Sequence, residues 1–138
     1  MPHITIDYSP NLEPEVDIAA LCDTLRRSAI ETGEFPAAGV RVRAFAASHV
    51  SIADGNPDHG YIDIGVRLRG GRDLATRERA TAHIFSAAEG FLAHVMAQRS
   101  LALSFEMRDI DPALSPKAGT TRDHMPADPT TASETPKG

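Results

Sequence analysis

The sequence predicts one α/β (α+β) domain of order βαββαβ, in which two strand–helix–strand units share a four-stranded sheet with both helices on one face. Four short segments alternate polar and apolar residues with a period of two, as strands with one buried face do. Two segments with apolar residues at three- and four-residue spacing separate the first strand from the second and the third from the fourth. A strand, a helix and a strand, repeated once, indicate two units whose crossover helices join parallel strands.

The first unit begins at the amino terminus. Residues 3–8 alternate as a strand, and Asp17 can cap the helix that follows. Apolar residues recur along that helix until Gly33, a residue type that commonly ends helices. Residues 40–45 alternate again and complete the unit as its second strand.

A turn-rich segment at residues 48–60, which contains the run ADGNPD, separates the second unit from the first. Residues 61–68 form the third strand, and Asp73 can cap a long helix that runs to about residue 98. Residues 101–107 alternate as the fourth strand. The helix residues expected to face the core are Ile18, Leu21, Cys22, Leu25 and Ala29 in the first helix and Ile84, Ala88, Phe91 and Val95 in the second.

The two helices should cover the apolar face of the sheet, which leaves a polar face on the other side. That face is too polar for a core, and its composition is typical of a wet interface between subunits. Its expected residues are Thr5, Asp7, Arg41, Arg43, Asp63, Arg67, Ser104 and Glu106.

Composition excludes several classes of protein. The 138 residues carry a formal net charge of -5, whereas general nucleic-acid binding needs a surplus of cations for the phosphates. No apolar run approaches the ~20 residues of a membrane span, and the first ten residues lack the regions of a signal peptide. The single cysteine, Cys22, cannot form an internal disulfide. We therefore expect a cytoplasmic protein with neither a nucleic-acid nor a membrane partner.

Composition also changes along the chain, near Pro116. From there to Gly138 the only large apolar residue is Met125, so burial cannot offset the entropy of ordering this segment. The sequence therefore predicts a domain at residues 2–114 and a disordered tail at residues 115–138, to which it assigns no role. A domain of this size buries a modest core and would gain from association with other chains.

Pro2 is a candidate general base, because removal of the initiator Met would leave a secondary amine at the new amino terminus. The amine has to be neutral at pH 7 to act as a base. An apolar surround and nearby arginines would both lower its pKa and so favour the neutral form. Many chains begin Met-Pro for other reasons, so this feature alone leaves a purely structural Pro2 open.

Arginine accounts for all but two of the 14 cationic residues, the exceptions being Lys117 and Lys137. Its planar guanidinium suits two-pronged binding of carboxylates. Arg41 and Arg43 share one face of the second strand, and Arg72 stands at a helix start, where backbone N–H groups favour an anion. These positions predict a pocket for a substrate with several carboxylates, and solvated ion pairs with the acids of the strands are the alternative.

Metal and nucleotide sites have little support. None of the six histidines pairs at the i, i+4 spacing of a helical zinc site. The chain also has neither a P-loop nor a GxGxxG motif. We therefore expect no metal ion.

Five blocks of sequence, in order, resemble the 5-carboxymethyl-2-hydroxymuconate delta-isomerases, a family of the tautomerase superfamily whose members use an amino-terminal proline. Together the blocks span residues 1 to about 114. They are residues 1–9 (MPHITIDYS), 35–43 (FPAAGVRVR), 53–55 (ADG), 71–74 (GRDL) and 101–106 (LALSFE).

The resemblance implies a homotrimer of βαββαβ subunits with the sheets facing inward, and neither a metal nor an organic cofactor. The implied reaction is a 1,3-proton shift that converts the dienol of a tricarboxylate to its conjugated keto isomer, in the catabolism of the aromatic acid homoprotocatechuate. Pro2, Arg41 and Arg72 take the catalytic positions of the family. The two arginines would also bind substrate carboxylates, and Arg43, on the same strand face as Arg41, is a third candidate for substrate binding.

Residues 59–65 and the single residue Arg69 depart from the pattern expected of that family and could alter the substrate. Two alternatives stay open. One is a tautomerase that acts on another 2-hydroxydienoate or on a phenylpyruvate-like enol. The other is a trimeric protein that binds small carboxylates without catalysis.

Overall fold

A computed structural model describes residues 1–126 and contains four strands and two long helices, with four short 3-10 helices among them. The strands and helices are β1 (His3–Tyr8), α1 (Ile18–Glu31), β2 (Arg41–Ala46), β3 (Gly60–Arg69), α2 (Leu74–Met96) and β4 (Leu101–Ile110). The 3-10 helices lie at Pro10–Leu12, Ala37–Gly39, Pro112–Leu114 and Thr121–His124.

All four strands form one sheet in the order β2-β1-β3-β4. β1 pairs with β2 and β3 pairs with β4 in parallel, while β1 and β3 pair antiparallel. Two parallel strand–helix–strand units therefore meet along an antiparallel seam, which confirms the predicted fold class.

The register of the strands aligns a row of basic residues across the sheet. His3 is opposite Arg41 on one side and Arg67 on the other, and Arg67 is in turn opposite Arg108. Cross-strand partners point to the same face of a sheet, so these four side chains share one face. The row crosses the sheet at the end where β1 begins, which is the end that carries the amino terminus.

The helix caps form as the sequence predicts. The Asp17 carboxylate accepts a hydrogen bond from the backbone N–H of Ala20 at 3.0 Å, and Asp73 accepts one from Thr76 at 2.8 Å. Each cap satisfies one of the donors that the first turn of a helix leaves without a partner. α1 begins directly after Asp17 and α2 directly after Asp73.

The core lies between the two helices and one face of the sheet. Inward residues of β1 and β3, such as Ile4 and Ile64, pack with Leu25 of α1 and Leu92 of α2. The opposite face is polar, as predicted. Of its expected residues Thr5 is partly exposed, and the others are exposed, namely Asp7, Arg41, Arg43, Asp63, Arg67, Ser104 and Glu106.

Several details differ from the sequence-based prediction. α2 ends two residues early and buries Leu92 fully, whereas Phe91 is only partly buried because it lies at the edge of the apolar stripe. Ile18 and Cys22 are likewise partly buried. β4 continues to Ile110, because its backbone pairs with β3 along the whole of that strand even where its side chains stop alternating.

Residues 115–126 form the first half of the predicted tail, and they include one 3-10 turn at Thr121–His124. Apart from Ser115, their side chains are exposed. The other half of the predicted tail, residues 127–138, lies outside the described residues, so the boundary at residue 114 and the disorder stay predictions. No helix among residues 1–126 is long and apolar enough to cross a membrane.

Candidate active site

The amino terminus is anchored at the edge of the sheet core. The side chain of Pro2 is buried, and it lies on the same side of β1 as Ile4 and Ile6. Its carbonyl accepts a hydrogen bond from the backbone N–H of Arg41 at 3.1 Å, one residue before the pairing of β1 with β2 begins. These contacts fix the position of the Pro2 nitrogen, which forms a peptide bond with Met1 in this structure.

Met1 lies against Gly39, the last residue of a 3-10 turn that leads into β2. A Cβ built on Gly39 would stand 2.5 Å from the amino nitrogen of Met1 and 2.8 Å from its carbonyl oxygen. Side chains do not reach such distances, so only glycine accommodates the chain here. Gly39 therefore forms one wall of the site around the Pro2 nitrogen.

The surroundings of the amino terminus favour a neutral amine. Burial, together with the charges of Arg41, Lys117 and Arg72, lowers the pKa of the Met1 amino group from 8.0 to about 6. Burial and nearby cations both disfavour an ammonium ion. Only two atoms separate this nitrogen from that of Pro2, so the Met1 amine stands in for the amine that Pro2 would carry after loss of Met1.

Arg72 is held in a fixed orientation between two segments. Its Nη2 donates to the carbonyl of Glu34 at 2.8 Å, and its Nη1 donates to the carbonyl of Arg69 at 3.2 Å. The guanidinium also stacks on the ring of Phe35, 5.1 Å from the centroid. Such a preorganised cation can bind an anion without first losing side-chain freedom.

Arg41 comes from the edge strand β2, and its side chain is exposed. Its Nη1 donates to the carbonyl of Gly39 at 3.4 Å, which directs the guanidinium back toward the amino terminus. The structure thus brings the three residues predicted as catalytic together: Pro2, Arg41 and Arg72.

Arg43 lies two residues further along β2, beside His3. Its Nη1 is 3.4 Å from Nδ1 of His3. Burial lowers the pKa of His3, and the charges of Arg67 and Arg43 add to this effect. Arg43 therefore belongs to a basic group with His3 and Arg67 on the polar sheet face. Its role in substrate binding stays a prediction.

Lys117 is the residue of this site that sequence reasoning missed. It follows the last strand in the segment predicted as a tail without a role, yet its charge acts on the amino terminus. Periodicity could not have found it, because the segment has none. The available signal was topological, because β4 runs parallel to β3 and antiparallel to β1, and therefore ends at the end of the sheet where β1 begins.

A second polar cluster forms at the other end of β3. The His59 ring contacts Asp54 through Nε2 at 2.8 Å and Ser100 through Nδ1 at 2.6 Å. Asp54 follows Ala53, whose φ of 52° is left-handed, so the cluster fixes a tight turn. Among residues 1–126, no group of three His, Cys, Asp or Glu residues could hold a metal ion.

The arrangement suits proton transfer on an anionic substrate. A neutral amine can remove an acidic proton, and guanidinium groups beside it can bind carboxylates and stabilise negative charge on an enolate oxygen. The amine and the guanidinium groups both lie at the end of the sheet where β1 begins.

Comparison with known proteins points to one family. The model of the family "5-carboxymethyl-2-hydroxymuconate isomerase" matches residues 2–125. The chain is 32% identical, over 115 residues, to the 5-carboxymethyl-2-hydroxymuconate Delta-isomerase of Escherichia coli, covering 83% of this chain and 91% of that protein. The family match runs past residue 114 and includes Lys117.

Solved structures share the fold. A crystal structure of a 5-carboxymethyl-2-hydroxymuconate delta-isomerase superposes with a TM-score of 0.84 at 30% identity, covering 93% of this chain and 95% of that one. A more distant structure, described as a "W0 fused 4-OT wild type symmetric trimer", superposes with a TM-score of 0.62 at 16% identity and covers 80% and 88% of the two chains. At that identity the likeness concerns the fold alone.

Proposed function

The chain belongs to the 5-carboxymethyl-2-hydroxymuconate isomerase family, and from this premise we propose that it isomerises 5-carboxymethyl-2-hydroxymuconate with Pro2 as the general base. The reaction converts a dienol to its conjugated keto isomer. The observation that carries the proposal is the lowered pKa of the amino-terminal amine between Arg41 and Arg72. An amine with a pKa of about 6 is mostly neutral at pH 7, as a base must be.

The proton transfer needs no other reactant. After removal of Met1, the neutral Pro2 nitrogen takes the proton of the 2-hydroxyl, and the electron pair of that O–H bond forms the C2=O bond. The double bonds shift to C3=C4, and C5 takes a proton back from the Pro2 ammonium. Counted from the dienol, the proton moves from the 2-hydroxyl oxygen to C5. Counted between the two keto isomers that share this dienol, it is a 1,3-shift from C3 to C5. Nothing is oxidised or reduced, so the reaction requires no cofactor.

The two arginines bind the substrate and stabilise its charge. Arg72 is preorganised by Glu34 and Phe35, which suits it to a planar carboxylate. Arg41, anchored at the same edge as Pro2, faces the charge that builds up on the dienolate oxygen. Removing one preorganised group of this kind typically lowers the rate about a hundredfold.

We propose a homotrimer in which the polar sheet faces lie inward. The support is the exposed polar face opposite the helices, where Tyr61 donates to Asp7 at 2.6 Å and Ser104 donates to Asp63 at 2.6 Å. These hydrogen bonds order polar side chains that remain hydrated, as is typical of subunit interfaces. The cytoplasmic location expected from the sequence stays a prediction.

The experiment that tests the function is a spectrophotometric assay of the purified protein on three substrates. They are 5-carboxymethyl-2-hydroxymuconate, 2-hydroxymuconate and phenylpyruvate. We expect the highest kcat/KM on the first. A clear preference for either of the others would favour a tautomerase of different specificity, a possibility that the extra cation Arg69 at the end of β3 supports. Absence of turnover on all three would refute the proposed reaction.

The role of Pro2 has its own test. Intact-mass measurement should show that the active protein lacks Met1, because only then is the Pro2 nitrogen an amine. A variant with two residues inserted between Met1 and Pro2 keeps the Pro2 nitrogen in a peptide bond, and circular dichroism can verify that it folds. Undiminished turnover by that variant, or Met1 retained on the active protein, would contradict the mechanism.

A further inference from the structure

The proposed substrate has three carboxylates, and of the three arginines predicted to bind it only Arg41 and Arg72 act on the amino terminus, whereas Arg43 lies beside His3. A muconate has a carboxylate at each end, and the carboxymethyl group at C5 adds a third. Arg41 and Arg72 account for two of the three. If the proposed function holds, a third cation should stand near the base, because C5 must approach the Pro2 nitrogen to be protonated and carries the carboxymethyl branch with it.

After β4 the chain continues at the end of the sheet that carries the Pro2 nitrogen. β4 runs parallel to β3, and the backbone N–H of Gly70, just after β3, donates to the carbonyl of Ile110 at 3.0 Å. A Cβ on Gly70 would also contact the side chain of Asp109 at 3.7 Å. β4 therefore ends beside the loop that carries Arg72, at the end of the sheet where β1 begins.

From Ile110 the chain continues through the 3-10 turn Pro112–Leu114 to Lys117. The Lys117 side chain is exposed. Its charge lowers the pKa of the amino terminus, as the charges of Arg41 and Arg72 do. Among residues 1–126 no ion pair engages it, since the six pairs present involve other side chains.

We propose that Lys117 is a substrate-binding residue whose ammonium binds the carboxymethyl carboxylate and so selects the tricarboxylate over 2-hydroxymuconate. A lysine is a point charge on a flexible stem, which suits a carboxylate that itself hangs from a rotatable CH₂ group. The two arginines present planar guanidinium groups, that of Arg72 held by two hydrogen bonds, and are better suited to the rigid conjugated part of the substrate.

The test compares two substrates in two variants at Lys117 and a control. Lys117→Met removes the charge and keeps most of the stem, while Lys117→Arg keeps the charge. Arg122→Met is the matched control, because Arg122 is an exposed cation of the same segment that is not among the charges acting on the amino terminus. Since Lys117 is exposed, its replacement should leave the fold intact, which circular dichroism can verify.

We expect Lys117→Met to lower kcat/KM on 5-carboxymethyl-2-hydroxymuconate by about tenfold or more, as the loss of a charge-assisted hydrogen bond does. On 2-hydroxymuconate its kcat/KM should stay within about twofold of the wild type. Lys117→Arg should recover most of the lost kcat/KM, and Arg122→Met should leave kcat/KM unchanged on both substrates. An equal loss on both substrates, or no loss on either, would overturn the selective role of Lys117.

A binding measurement separates this inference from the proposed reaction. Isothermal titration with propane-1,2,3-tricarboxylate and with glutarate requires no turnover. The wild type should bind the tricarboxylate more tightly than the dicarboxylate, and Lys117→Met should abolish that preference. If the wild type has no activity on either muconate, the proposed function is refuted. If Lys117→Met still prefers the tricarboxylate to the dicarboxylate, the role of Lys117 is refuted.

Discussion

The main chain of Met1 rests on the α-carbon of Gly39, so closely that a Cβ there would stand 2.5 Å from the amino nitrogen of Met1. This contact defines the approach to the Pro2 nitrogen. Once Met1 is removed, the same α-carbon faces the space in front of the amine, through which a substrate has to approach. The contact thus links a glycine in a connecting turn to the reactivity of the amino terminus.

Gly39→Ala should therefore impair catalysis more than stability. The added methyl group would occupy the approach to the Pro2 nitrogen, and we expect kcat/KM to fall by about tenfold to a hundredfold, since misplacement by one ångström has effects of this size. Steady-state kinetics on the preferred substrate measure it. Gly90→Ala is the matched control, because a Cβ at that position of α2 meets nothing within 4 Å. Equal kcat/KM values in the two variants would show that Gly39 does not border the approach to the Pro2 nitrogen.

Removing the guanidinium of Arg72 should lower kcat/KM by about a hundredfold, as loss of a preorganised charge does. Arg72→Lys should recover only part of this, because a lysine cannot donate to Glu34 and stack on Phe35 while presenting a planar face to a carboxylate. Kinetics of both variants, alongside size-exclusion chromatography to verify the assembly, decide the point. Wild-type rates in Arg72→Ala would exclude Arg72 from the site.

The pH dependence of kcat/KM should report the amino-terminal amine. The base acts only when neutral, so activity should rise with pH through a pKa near the value of about 6 that the Met1 amine shows. Arg41→Ala removes a cation that repels the ammonium form, so the pKa should increase and the acid limb should move to higher pH. If the acid limb of the Arg41→Ala profile stays in place or moves to lower pH, the base does not lie beside Arg41.

The cluster at His59 should contribute to stability and not to activity, because it lies at the far end of β3 from Pro2. His59→Ala removes two side-chain hydrogen bonds, those with Asp54 and Ser100. We expect the free energy of unfolding to fall by about 1–3 kcal/mol, measured by urea denaturation. His94→Ala, on the exposed face of α2, serves as the control. A drop in kcat/KM at unchanged stability would reverse this assignment.

Much of the fold could be predicted because its determinants are local. Alternation along residues 3–8 and 61–68 follows from the two-residue period of a strand, and the caps at Asp17 and Asp73 depend on a side chain three residues from its partner. The burial of Leu92 in place of Phe91 shows the limit of such reasoning. A helical stripe has edges, and packing against the sheet decides which edge residue is covered.

By itself, the sequence determined the order of strands and helices, the polar sheet face, and Pro2, Arg41 and Arg72 as the residues of interest. Only the tertiary structure decided that the charges of Arg41, Arg72 and Lys117 act on the amino terminus, and that Gly39 lies against it. The reason is physical. Hydrophobic periodicity encodes which face of an element is buried, whereas a site is assembled from residues far apart in sequence, whose distances depend on strand register and on where each strand ends.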